Sequence, residues 1–290
     1  MFTKIDRCIT DETEVFQVVT DGSVKFDENN FDEFDKMVEN ISSETGVPQD
    51  LVSTKPIDRW HKINGEWYYL KRFEYDFPFL NELLGEIISE YFDLDTIHYN
   101  VAQLHVKGEN KGYGVISKNF CDVNTEYKTA WDYNFNRLKN ISVLKRMRRI
   151  CESDEQYALL LDDMKKFFIR DFYAAEQDRS GNNILFKNDG NGPRLAPLYD
   201  YEDSFTTVHK HIYRNQIAML DISKPYTRQL ILNDDRFQEL FNKLMDINMK
   251  DFIDTLEERH KILVPEELKG FYNDHDTEVK GLVLKNKIVK

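Results

Sequence analysis

FYAAEQDRSGNNILFKNDGNGPRLAPLYDYEDSF, residues 172–205, is the stretch from which the rest of the chain can be read. Asp178 is followed five places later by Asn183, and the chain then enters a short apolar run, Ile184-Leu185-Phe186. A Gly/Asn turn follows, and a second apolar run ends on Asp200. An acid, a nearby amide and a second acid beyond a hairpin form the set that phosphoryl transfer from a nucleotide requires. One carboxylate orients a hydroxyl, while the amide and the other carboxylate hold Mg²⁺. The same residues also suit a plain Asx/Gly turn between a helix and a strand. The flanking context, a long apolar helix before and a strand-like Ile-Leu-Phe after, favours the chemistry. Asn182 competes with Asn183 for the metal but fits a turn better. Asp200 could equally cap the next turn, and its pairing with Asp178 favours the metal role. Glu202 and Asp203 read as loop acids.

Upstream, Ser153-Asp-Glu-Gln156 has the form of a capping box, and Tyr157, Leu160, Leu161, Met164, Phe168 and Phe172 continue from it as one buried face. Before about residue 121 the chain has another character. Residues 13–26 suggest strands around an Asp21-Gly22 turn, and 31–44 an amphipathic helix with Phe31, Phe34, Met37, Val38 and Ile41 on one face. Glu66–Phe73 is an aromatic strand carrying Lys71. By parity alone that lysine points either to solvent or to the interior. Pro78 predicts the start of a helix that runs to about Tyr91, with Leu80, Leu83, Leu84, Ile87 and Ile88 as its stripe. Glu82, Glu86 and Glu90 lie on that helix, and periodicity does not say whether any of them faces Lys71. Strands are expected at 98–106 and 112–118, and the seam between the two parts near 117–122. Beyond it, helices are expected near 235–246 and 250–260, with a last one having Pro265 at its first position.

The layout predicts an α+β chain in two parts, a strand-rich 1–121 and a helical 122–290, in the order of elements of a bilobal kinase. The loop before the Lys71 strand, Leu51 to Arg59, contains no glycine, so neither a Walker-type nor a G-x-G-x-x-G loop is present. Ser53, Thr54 and Lys55 are the donors there that could meet phosphates.

Composition narrows the classes. With 290 residues, 20 Phe and 15 Tyr, the chain can bury a large core. Its formal net charge of -13 disfavours nucleic acid as a direct ligand. The run Lys145-Arg146-Met147-Arg148-Arg149 reads as a solvated helix face. Cys8, Cys121 and Cys151 lack metal-ligand spacing and suit free thiols in a reducing compartment. No apolar run approaches a membrane span, and a cytoplasmic protein is the expectation. The seven His include one close pair, His209 and His211, without a supporting acid or Cys, and no G-x-S-x-G elbow occurs.

Taken together, these motifs resemble the HipA-like serine/threonine kinases, the kinase-fold toxins of toxin–antitoxin modules and their stand-alone relatives. Asp178-Arg179-x-x-x-Asn183 is similar to that family's catalytic loop, and Leu195-Ala-Pro-Leu-Tyr-Asp200 to its metal-binding motif. Trp60-His61 through Tyr69-Leu70-Lys71 resembles its nucleotide-lysine strand, and Asn81-Glu82 its helix pair, which makes Glu82 the better partner for Lys71. Gly114 to Phe120 resembles its crossing between lobes, and Tyr99 and Glu126 fall where its pattern has a Tyr and a Glu. The matches run from about residue 50 to 205.

The resemblance implies a bilobal protein-kinase-like fold and ATP- and Mg²⁺-dependent phosphorylation of a protein Ser or Thr. Asp178 would be catalytic, Lys71, Glu82, Ser53 and Thr54 would serve the nucleotide, and Asn183 and Asp200 would serve Mg²⁺. A small antitoxin-like protein is the implied partner. A small-molecule or lipid-headgroup kinase and a pseudokinase scaffold are the alternatives. Ser180 stands where the family usually has His, and residues 52–56 lack its usual glycines. Many family members begin with a further small subdomain, which residues 1–50 do not clearly provide.

Overall fold

The computed structural model describes residues 3–20, 31–54, 59–133, 142–176, 179, 181–205 and 220–289. The expected Asp21-Gly22 turn, Lys55, Asp178, Ser180, His209 and His211 lie outside these. Alternating apolar residues build the first layer, a five-stranded sheet in the order β1-β4-β5-β3-β2. Its strands are β1 (Phe16–Thr20), β2 (Trp60–Ile63), β3 (Glu66–Arg72), β4 (Tyr99–Val106) and β5 (Glu109–Lys118). Only β1–β4 is a parallel pair, and the others are antiparallel. Parity along β3 is settled by packing. Leu70 joins Val18, Ala102, Leu104 and Ile116 on one face, so Tyr69 and Lys71 emerge on the other.

Two helices, α1 (Phe31–Thr45) and α2 (Gln49–Thr54), precede β2. Val38, Ile41, Leu51 and Val52 from them pack with Cys121, Leu185 and Ala196. Helix α3 (Asp76–Tyr91) follows β3 and is buried on nearly every side, Glu82 and Glu86 included. It begins two residues before Pro78. Asp76 accepts from the Thr3 backbone N–H at 3.2 Å, the Thr3 hydroxyl at 2.7 Å and Arg7 Nε at 2.8 Å. Pro78 therefore falls inside the first turn, where no N–H is needed.

The second part is less purely helical than its apolar periodicity suggests. Strands β6 (Glu126–Thr129), β7 (Leu185–Asn188) and β8 (Pro193–Leu195) form a small antiparallel sheet. Around it stand α4 (Ser142–Met147), α5 (Asp154–Tyr173), α6 (Pro225–Leu232), α7 (Asp235–Met245), α8 (Met249–His260) and α9 (Glu266–Lys285). Helix α5 is capped by Ser153, which accepts from the Gln156 N–H. The Gln156 side chain bonds the Glu152 N–H rather than that of Ser153, so the reciprocal half of the box is displaced by one residue. Pro265 stands at the N-cap of α9 rather than at its first position.

Arg146, Arg148 and Arg149 are exposed while Met147 is buried, as a solvated face requires. The three cysteines are buried free thiols. Among the described residues, no helix is long and apolar enough to cross a membrane. One continuous core joins α3, α5 and α7–α9 with the cleft-facing side of the large sheet.

Candidate active site

Three elements remote in sequence converge on the Lys71 ammonium. Lys71 projects from β3, pairs with Glu82 of α3 and with Asp200 beyond β8, and lies 3.2 Å from Glu202 Oε2. Glu82 is completely buried, and Lys71 and Asp200 are nearly so. Burial alone would lower the lysine pKa, but the carboxylates of Asp200, Glu82 and Glu202 outweigh it and hold the ammonium well above its ordinary value. Lys71 is therefore charged throughout the physiological range. Gly114 of β5 allows β3 to approach, because a Cβ there would lie 1.9 Å from the Lys71 carbonyl oxygen.

The Asn81-Glu82 pair does two jobs from adjacent positions. Glu82 meets the ammonium, while Asn81 Nδ2 donates to the carbonyls of Glu202 at 3.0 Å and Ser204 at 2.8 Å. The Tyr272 hydroxyl of α9 orients Asn81 by donating to its Oδ1 at 3.0 Å. The segment that carries Asp200 is thus anchored to α3. Glu86, one turn on, faces elsewhere: it accepts from His98, from the Tyr99 N–H and from Arg259, each at 3.0 Å. Tyr99 is buried against Glu82, and its hydroxyl pKa is pushed well up by burial and by that carboxylate. Glu126 lies exposed on β6, paired with Lys128 at 2.6 Å.

Asp200 has φ of 68°, a left-handed conformation that costs a non-glycine residue on the order of 1–3 kcal/mol. Arg179 holds it there. Its guanidinium, fully buried, donates to the carbonyls of Tyr199 at 2.5 Å and Asp200 at 3.2 Å, and to Asp171 Oδ2 at 3.0 Å. Arg170 bonds the other Asp171 oxygen at 2.8 Å. The two guanidinium groups lie 4.2 and 5.2 Å from the Tyr201 ring centroid, and that ring fits only because residue 85 lacks a Cβ. Arg179 thereby ties the residue next to Asp178 to the backbone of Asp200.

Asn183 ends a short 3₁₀ turn and is buried, with Asn182 more exposed beside it. The Tyr199 hydroxyl donates to the Asn182 carbonyl at 2.6 Å, a turn role for that residue's backbone. Ser53 and Thr54 close α2. An apolar cleft opens above the Lys71–Asp200 pair. Val47, Leu51, Ile97, Tyr99, Phe120 and Tyr199 wall it, and residues 117–121 form one edge.

Carboxylate oxygens of Glu82, Asp200 and Glu202 all lie within 4.8 Å of one another. An all-oxygen set around one ammonium leaves a formal excess of two negative charges, which suits a hard divalent cation. Glu202, a loop acid on sequence pattern, belongs to this cluster. Asn81 and Arg179 stood in the sequence only as members of the resembling motifs, and their hold on the carbonyls of Glu202, Ser204, Tyr199 and Asp200 comes from the fold.

No family model matches the chain, and no curated protein matches it. Among solved structures, the Helicobacter pylori proinflammatory kinase CtkA is similar at a TM-score of 0.55 and 13% identity, over 77% of this chain and 89% of that one. HipA of Shewanella oneidensis MR-1, solved with HipB and operator DNA, is similar at a TM-score of 0.46 and 13% identity. That match covers 74% of this chain and 57% of HipA, so the chain spans somewhat over half the length of that protein. The likeness to CtkA establishes the fold, and the expected bilobal, kinase-like α+β architecture is borne out.

Proposed function

We propose that the chain is a Mg²⁺-dependent phosphotransferase that moves the γ-phosphate of ATP to a Ser or Thr hydroxyl of a protein. The observation that carries this reading is the meeting of Lys71, Glu82 and Asp200 at the end of an apolar cleft in a kinase-like fold. The apolar walls suit a purine, and the Lys71 ammonium, steadied by Glu82, suits the phosphates that follow it. Asp200 and Asn183 would hold Mg²⁺, for which the oxygen donors beside Lys71 are a chemically suitable set. Bound there, the metal would neutralise charge on the transferring phosphoryl group.

Asp178 is assigned the acceptor hydroxyl, whose proton it would orient or accept. Its neighbour Arg179 would keep it in register with Asp200 through the Tyr199 and Asp200 carbonyls. The chemistry asks for positioning and charge stabilisation rather than for a covalent intermediate.

The decisive measurement is calorimetric ATP binding with and without Mg²⁺, followed by transfer of labelled phosphate. Wild type is expected to bind ATP more tightly with Mg²⁺, and Asp200→Ala to lose that dependence. Asp178→Ala is expected to bind Mg-ATP normally and transfer nothing. A wild type without Mg²⁺-dependent binding would leave a kinase-fold scaffold. Labelled product found only on small molecules would replace the protein substrate.

A further inference from the structure

Nucleotide sites usually meet phosphates with backbone N–H groups of glycine-rich turns. No glycine occurs between Leu51 and Arg59. The three N–H donors of Lys71 are faced by three carboxylates, of Glu82, Asp200 and Glu202. A polyanion entering this cleft therefore needs another cation.

Arg59, immediately before β2, is placed to be that cation. It is half-buried, and its Nη1 donates to the Tyr69 hydroxyl at 3.5 Å. That bond locates the guanidinium. Tyr69 lies two residues before Lys71 on the same face of β3, and its ring meets Trp60 edge-on at 5.1 Å. Both rings line the cleft that Lys71 and Asp200 close. Asp200 and Glu202 are near enough to act on Arg59 electrostatically, yet it forms no ion pair with a carboxylate of any described residue. Of five N–H donors, one makes a single long bond among the described residues.

We propose that Arg59 binds the phosphate chain of the nucleotide, supplying with a side chain what a glycine-rich loop supplies with its backbone. The inference rests on the ATP reading above and adds a residue to it. Charge supports it: Lys71 and Arg59 give +2 against -3 from Glu82, Asp200 and Glu202, and a divalent ion makes the site +1. Without Arg59 the metal-loaded site would be neutral toward a polyphosphate. A planar guanidinium also matches two phosphate oxygens at once.

The test is binding of Mg-ATP, Mg-ADP and adenosine to wild type, Arg59→Met and Arg59→Lys, with circular dichroism to confirm folding. Arg59→Met is expected to weaken ATP by about tenfold or more and to leave adenosine within about twofold. Arg59→Lys should recover part of the loss, because it restores the charge but not the fork. If Arg59→Met binds ATP as wild type does, or loses adenosine equally, the assignment is overturned while the ATP reading stands. A wild type that binds adenosine and ATP equally, or neither, overturns both.

Discussion

Lys71 carries one positive charge against three carboxylates, so its removal should cost more than the loss of a side chain. Lys71→Met leaves Glu82, Asp200 and Glu202 facing one another in a largely dry site. Breaking a buried pair by deleting one partner costs about 3–5 kcal/mol, and urea denaturation at pH 7 should find a loss of that size. Adding Glu202→Gln to that variant should restore part of the stability, because one of the repelling charges is gone. An additive or worse double variant would mean that Glu202 is too well solvated to matter, its side chain being 38% exposed. At this scale the sequence was only partly legible. Asn81, Glu82 and Lys71 were legible through motif resemblance, but parity left the direction of Lys71 open. Helical period did not say which of Glu82, Glu86 and Glu90 faces Lys71, because α3 is buried on nearly every side. Arg59 and Glu202 carried no pattern, since their meaning comes from what stands opposite them in space.

Among the elements, the contact between β3 and β5 fixes the site most tightly. Gly114 pairs with Arg72 and lies under the Lys71 carbonyl. Gly114→Ala must push that backbone aside, and a strand cannot rotate away as a side chain can. The expected cost is about 1–3 kcal/mol, with a parallel loss of Mg-ATP affinity as Lys71 moves. Gly270→Ala in α9 is the control: nothing lies within 4 Å of its Cβ position, so stability should hold or rise by up to about 1 kcal/mol with nucleotide binding unchanged. Denaturation and calorimetry on the pair would separate a local clash from a general intolerance of substitution. The long elements were readable because α3, α5, α7 and α8 keep an apolar period over three turns or more. Strands β6–β8 were not read as a separate sheet, being three or four residues each and too short to show alternation. Helix α6, with eight residues, is close to the same limit.

For the molecule as a whole, the core that joins both layers contains two histidines kept neutral by burial. His275 of α9 is packed against the Tyr173 and Phe205 rings, and its Nε2 donates to the Tyr173 carbonyl at 2.6 Å. His260 ends α8. Burial lowers both from 6.5 to about 4, with Arg259 adding to the effect at His260, while the Tyr173 carbonyl and Asp276 oppose it at His275. Because the unfolded chain takes up these protons first, stability is full above pH 6.5 and falls as pH drops toward 4. By pH 5 each histidine should have cost about 2 kcal/mol. Glu86 and Glu176 work in the opposite sense, since burial raises their pKa values and the folded state binds their protons first. A comparison of variants cancels them. His275→Gln keeps a donor for the Tyr173 carbonyl but cannot ionise, so its stability should fall less than that of wild type between pH 7 and 5. The difference between the two falls should be about 2 kcal/mol by urea denaturation. Equal falls would mean that His275 is protonated within the fold, and that α9 is not sealed onto α5 as its contacts indicate.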